Sequence, residues 1–150
     1  MSLAITLWPE WAWAIAHFGK DVENRSWPPP PFIIGKRIAI HAGKHIGGKP
    51  KDQLDGLQDL LEMTEFAGKE LPVFSDLIPI IKTSAIVAVV KVVGCIRTGE
   101  AEGWYNGALG WKLADVQTLP EPVECKGMQG LWTLPDDVLA KVRQQLARIK

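Results

Sequence analysis

Residues 85–96 read Ala-Ile-Val-Ala-Val-Val-Lys-Val-Val-Gly-Cys-Ile, a β-branched run with a single charge at Lys91. Side chains branched at Cβ lose rotamer freedom in a helix and pack well on a pleated surface, so the run predicts a strand. Because it lacks polar alternation, it requires cover on both faces. It is therefore expected to be the central strand of a sheet with layers above and below. Lys91 is expected to snorkel to an edge.

The remaining elements suit such a sheet. Leu3 to Leu7 is a short apolar strand candidate. Pro9 at the first helical position and Glu10 in the first turn open a helix to about Phe18. On its wheel Trp8, Trp11, Ala12, Ile15 and Phe18 form one stripe, with Trp13 and His17 nearly opposite. Pro28 to Pro31 cannot join a ladder and predict an extended loop. Lys36 to His41 alternates, placing Ile38 and Ile40 inward and Arg37, Ala39 and His41 on a polar face. A helix from about Lys51 to Phe66 has Leu54, Leu57 and Leu61 at core spacing and Gly68 as its stop. Leu109, Trp111 and Leu113 alternate before the apolar phase slips to Val116, which predicts a bulge or bend. Gly127 to Trp132 is a further short strand. Thr133 and Asp136 resemble a capping box for a last helix carrying Val142, Leu146 and Ile149 inward. The order is α+β with a mixed, bent sheet and flanking helices, without the regular alternation or glycine-rich phosphate loops of doubly wound folds.

Apolar periodicity reaches nearly both ends of the 150 residues, as expected for one domain over residues 1–150. A content of 47% hydrophobic and 23% charged residues argues against disorder. The longest apolar run, Ala85 to Val90, is too short to span a bilayer, and the N-terminus lacks the pattern of a secretory signal. A cytoplasmic protein without membrane contact is expected. Lysine plus arginine equals aspartate plus glutamate at 17 each, so no global field favours nucleic acid and any phosphate-binding surface must be local. Cys95 and Cys125 form no Cys-x-x-Cys and read as reduced core residues. His41 and His45 flank Gly43 without a carboxylate partner, so neither an obligatory metal nor an organic cofactor is expected.

Chemistry concentrates in residues 18–27, where Lys20, Glu23, Arg25 and Trp27 follow the first helix. As a strand, this segment would place Glu23, Arg25 and Trp27 on one face with Lys20 at the preceding turn, a compact site for an anionic or planar ligand. An ordinary solvated edge strand with a Glu–Arg pair has the same pattern. In the Gly43-Lys44-His45 turn the glycine permits close approach to a ligand. Arg97 to Gly107, polar and glycine-rich, holds Glu100, Glu102, Trp104, Tyr105 and Asn106 and reads as a functional loop. Of the seven tryptophans, Trp104 between Gly103 and Tyr105 is the better stacking candidate, whereas Trp111 reads as core.

Three ordered segments carry a family resemblance: Leu7-Trp8-Pro9-Glu10-Trp11-Ala12, then Gly19-Lys20-Asp21-Val22-Glu23-Asn24-Arg25-Ser26-Trp27, then Ile40-His41-Ala42-Gly43-Lys44. Together they resemble the ASCH domain of the PUA-like superfamily, whose marker is Gly-x-Lys-x-x-Glu-x-Arg. Phe18 stands where the marker has its first glycine, so the helix-ending turn is expected to differ. The resemblance implies a small bent β-barrel with flanking helices and a cleft lined by Lys20, Glu23 and Arg25, joined by Lys44. It also implies binding of RNA, a single nucleotide or a modified base. Trp27, Trp104, His41 and Asn106 are added as ligand-binding candidates from their own chemistry. An alternative is a hydrolase acting on RNA or a modified nucleoside, because some similar proteins deacylate cytidine with a lysine, a threonine and a glutamate. In that case Lys20 and Glu23 would be catalytic, with Glu100 or Glu102 as the further acid. Lys20 matches that lysine, but Glu23 occupies the threonine position and no hydroxyl nucleophile stands there. The third reading is a protein-interaction module using exposed tryptophans.

Overall fold

In the computed structural model, which describes residues 1–149, six strands form one curled half-barrel sheet in the order β2-β5-β4-β3-β1-β6. They are β1 (Leu3–Leu7), β2 (Val22–Arg25), β3 (Arg37–Ala42), β4 (Ala85–Ile96), β5 (Leu109–Glu124) and β6 (Leu131–Thr133). β1 pairs parallel with β3, and the other neighbours are antiparallel. The fold is α+β with a mixed, bent sheet, as the element order implied. β4 occupies the residues predicted for it and lies between β3 and β5.

β5 is long and bent for the reason its phase slip suggested. Its register against β4 shifts three times, and Asp115 adopts a left-handed φ of 50°. Each shift turns the strand more sharply, which curls the sheet. Trp111 is fully buried where β5 passes over the first helix, and Trp27 meets it edge-on at 4.9 Å.

Four helices cover the sheet: α1 (Pro9–His17), α2 (Gln53–Phe66), α3 (Phe74–Leu77) and α4 (Asp136–Ala147). Ile5, Leu7, Ile38, Ile40, Val90 and Val92 pack with Ala12 and Ile15 of α1, while Ala4, Ala39, Ile86 and Val89 pack with Val138 and Val142 of α4. Both faces of β3 are therefore buried, and His41 lies inside the molecule, not on the polar face expected for it. Other expectations change with tertiary context. Trp8 is the residue before α1, where helical periodicity does not yet apply, and it is 50% exposed. Leu57 is buried as expected, but Leu54 is exposed and Leu61 only half-buried, and α2 buries Leu60 and Thr64 in their place. α4 begins after Pro135 without a side-chain cap, so Thr133 and Asp136 form no capping box. Pro31 leaves the extended proline run to start a short 3₁₀ turn, and the last strand starts at Leu131.

The turn after α1 fixes the direction in which the charged segment leaves the helix. Gly19, at φ 75°, lets the amides of Phe18 and Lys20 both return to the Ala14 carbonyl. A left-handed glycine closing a helix in this way reverses the chain at little steric cost. Gly19 thus closes the turn after Phe18, and Lys20 points inward just ahead of β2.

Candidate nucleic-acid interface

The marker segment divides between two concavities. Lys20 is only 1% exposed; its ammonium donates to the Val22 carbonyl and to Glu23 Oε1 at 3.1 Å, and lies 5.7 Å from the Trp11 ring. Glu23 presents its other oxygen to Arg25 Nε at 3.3 Å, an ion pair whose alignment leaves that N–H without a good hydrogen bond. One carboxylate is thereby shared by two cations. Lys20 and Glu23 line a small recess of about 170 Å³ with Trp11, Asn24, Met63 and Asn106. Asn24 donates to the Trp104 carbonyl and accepts from the Asn106 amide, which ties the 102–108 loop to β2.

Arg25 belongs to a larger cleft of about 650 Å³, together with Trp27, His41 and Lys44. Its Nη2 donates to the Thr6 carbonyl at 2.9 Å, and its guanidinium lies 5.7 Å from the Trp27 ring. Trp27 itself lies beyond the end of β2, where strand alternation no longer applies, yet its ring stays beside Arg25. At the floor His41 Nε2 donates to the Cys125 carbonyl at 2.6 Å, because a carbonyl can only accept. Nδ1 is then the acceptor for the Thr6 hydroxyl at 3.2 Å, and Thr6 Oγ1 takes the Trp132 indole N–H at 3.0 Å. Burial lowers the His41 pKa from the ordinary imidazole value, partly opposed by its bond to Cys125. The imidazole is thus a neutral, orienting group, and its ring nitrogens are engaged.

Two loops form the cleft walls. One runs from Gly43 to Gly48 and brings Lys44 and His45; the other brings Lys126, Gly127, Met128 and Gln129. Trp8 and Ser84 complete the rim, Ser84 holding a left-handed φ of 50° that non-glycine residues seldom adopt. Among the described residues, no aspartate or glutamate lines this cleft, whereas Arg25, Lys44 and Lys126 do. A chain with balanced charge has gathered cations at one place.

The structure therefore brings together Arg25, Trp27, His41 and Lys44, and places Lys20, Glu23 and Asn106 in the smaller recess. Trp104, expected to stack on a ligand, is 5% exposed and packs among Leu57, Leu60 and Tyr105, so its ring offers no free face. Trp8, Thr6, Ser84 and Lys126 were missed as cleft residues. The Trp-Pro step at Trp8 was the available signal, since a residue ahead of a helix-starting proline stands outside the helical wheel. Glu100 and Glu102 are exposed and line neither concavity. A lysine acting on a substrate in the large cleft would first have to leave Glu23. Of the seven tryptophans only Trp8 is exposed, which leaves little for an interaction module built on them. No group of three or more His, Cys, Asp or Glu among the described residues is placed to hold a metal ion. No helix among them is long and apolar enough to cross a membrane.

The family model described as ASCH domain matches residues 5–124. The chain belongs to the ASCH domain family. ASCH domains are members of the PUA-like superfamily and are generally thought to bind RNA. Among solved structures, this ASCH domain is similar to the crystal structure of ASCH from Zymomonas mobilis, with 18% identity, a TM-score of 0.54 and coverage of 95% of this chain and 93% of that one. Two mutant forms of the Zymomonas protein, one with a tyrosine changed to phenylalanine and one with a serine changed to alanine, give TM-scores of 0.55 and 0.52 at 16% identity. They cover 95% of this chain in each case, and 96% and 94% of their own. At such identity the likeness establishes the curled half-barrel fold alone. No match was found among curated proteins.

Proposed function

We propose that this ASCH domain is a binding module for single-stranded RNA or a single nucleotide, held in the cleft between the 43–48 and 126–130 loops. The observation that carries this reading is the cleft lining: three cations and no carboxylate among the described residues, with Trp8 and Trp27 beside them, in a chain of zero net charge. Phosphate oxygens meet Arg25, Lys44 and Lys126, and a base stacks on the exposed Trp8 ring. Stacking on one aromatic ring contributes ~1–3 kcal/mol, so an unpaired nucleotide suits the site better than a duplex. Glu23 supports the ligand from behind by holding Arg25 in place.

Fluorescence anisotropy with a labelled short RNA of mixed sequence tests the reading. Trp8→Ala is expected to weaken binding roughly fivefold to a hundredfold, from the stacking energy. Arg25→Ala weakens it with a shallower salt dependence, because one phosphate contact is lost. Unchanged binding in both variants would overturn the assignment.

A further inference from the structure

Glu10 is fully buried and has no lysine or arginine within ion-pair distance among the described residues. Both of its carboxylate oxygens are directed at one donor, the Gly47 amide, at 3.2 and 3.0 Å. A buried carboxylate without a cation is costly, and an apolar side chain would ordinarily serve packing better. Its surroundings are shaped to admit it. A Cβ at Gly56 of α2 would collide with Glu10 Oε2 and stand 2.8 Å from the Gly47 backbone. Gly47 and Gly48 have φ of 74° and 87°, and a Cβ at Gly48 would come within 2.8 Å of the Trp8 indole. Glycines thus let the loop lie flat between Trp8, Glu10 and α2.

That loop forms a wall of the cationic cleft and carries Lys44 and His45. We propose that Glu10 is a positioning residue: through the Gly47 amide it pegs the 43–48 loop and so sets Lys44 and His45 against Arg25. The proposal rests on the RNA-binding reading for its functional consequence but not for its structural content. A ligand entering the cleft meets a wall already ordered, which spares it the entropy of fixing those side chains.

Glu10→Gln keeps an acceptor, and Glu10→Leu keeps volume while removing it. Amide hydrogen exchange of the free protein reads the peg directly. Protection at Gly47 and Gly48 is expected to fall at least tenfold in Glu10→Leu and to stay within about threefold in Glu10→Gln, with the sheet amides unchanged in both. In RNA titrations Glu10→Leu is expected to bind about tenfold more weakly, Glu10→Gln like the parent, and Lys44→Ala to add little on top of Glu10→Leu. Equal exchange in all three proteins would overturn the peg. A Glu10→Leu protein with lost protection but full affinity would overturn its role in the cleft. If the parent binds no RNA, the functional reading fails while the exchange result still decides the peg. If Glu10→Leu does not fold, Glu10→Gln with weakened binding and lost Gly47 protection would contradict the proposal, and preserved values would support it.

Discussion

The shared carboxylate of Glu23 makes an asymmetric prediction. Among the described residues Lys20 Nζ has one anion in reach, Glu23 at 3.1 Å, and its side chain is 1% exposed; Arg25 is 20% exposed and has a second acceptor in the Thr6 carbonyl. Glu23→Gln therefore leaves a buried ammonium without a counter-charge. Breaking a buried pair in this way costs ~3–5 kcal/mol. Lys20→Met keeps the aliphatic stem against Trp11 and leaves Glu23 with Arg25 at 3.3 Å, so the main loss is the hydrogen bond to the Val22 carbonyl. That loss is about 1–3 kcal/mol. Urea unfolding of the two variants is expected to show Glu23→Gln as the more damaging by at least ~1 kcal/mol, and the double variant to cost less than the sum of the two. In thermal melts each 1 kcal/mol corresponds to roughly 2–4 °C for a chain of this size. A larger loss in Lys20→Met, or strict additivity, would refute the sharing of Glu23 by two cations.

Two further perturbations address the cleft floor. His41 is held neutral by burial, with its pKa below the ordinary imidazole value. The unfolded chain then takes up a proton near pH ~6.5 while the folded chain does not, so stability should fall as pH drops through that value toward the folded pKa. In His41→Gln the difference in unfolding free energy between pH 7.5 and 5.5 is expected to shrink, and an unchanged difference would exclude His41 as a source. Gly127 has no room for a side chain, because a Cβ there would strike the His41 ring and lie 2.8 Å from Thr6 Oγ1. Gly127→Ala is expected to lower stability by ~1–3 kcal/mol in urea unfolding and to weaken RNA binding by displacing the 126–130 wall.

What could be read from the chain was whatever depends on local pattern. β1 and β4 lie on the predicted residues because their apolar runs have no helical alternative, and the slip before Val116 became the bend at Asp115. Trp111 was legible as core from its alternation with Leu109 and Leu113. What was not legible depends on which elements meet. Trp104 looked free between glycines, but its loop folds onto α2 and is tied to β2 by Asn24. His41 looked polar because its cover, the Cys125–Gly127 segment and Trp132 of β6, comes more than eighty residues later in the chain. For the site, the two ends of the segment 20–25 line different concavities. Alternation placed Glu23 and Arg25 together; it gave no means of knowing that the chain reversal at Gly19 would bury Lys20 beneath them.

The central claim is that the ligand occupies the cleft of Arg25, Trp27, Lys44 and Lys126, not the recess of Lys20, Trp11 and Asn106. Nitrogen-15 chemical-shift mapping during titration with a short single-stranded RNA tests it directly, since the indole N–H signals of the seven tryptophans are separate reporters. Shifts are expected at the Trp8 and Trp27 indoles and at the backbone amides of 43–48 and 126–130, with Trp13, Trp104 and Trp111 silent. Shifts centred on Trp11, Met63 and Asn106 with a silent Trp8, or no shifts at all, would contradict it.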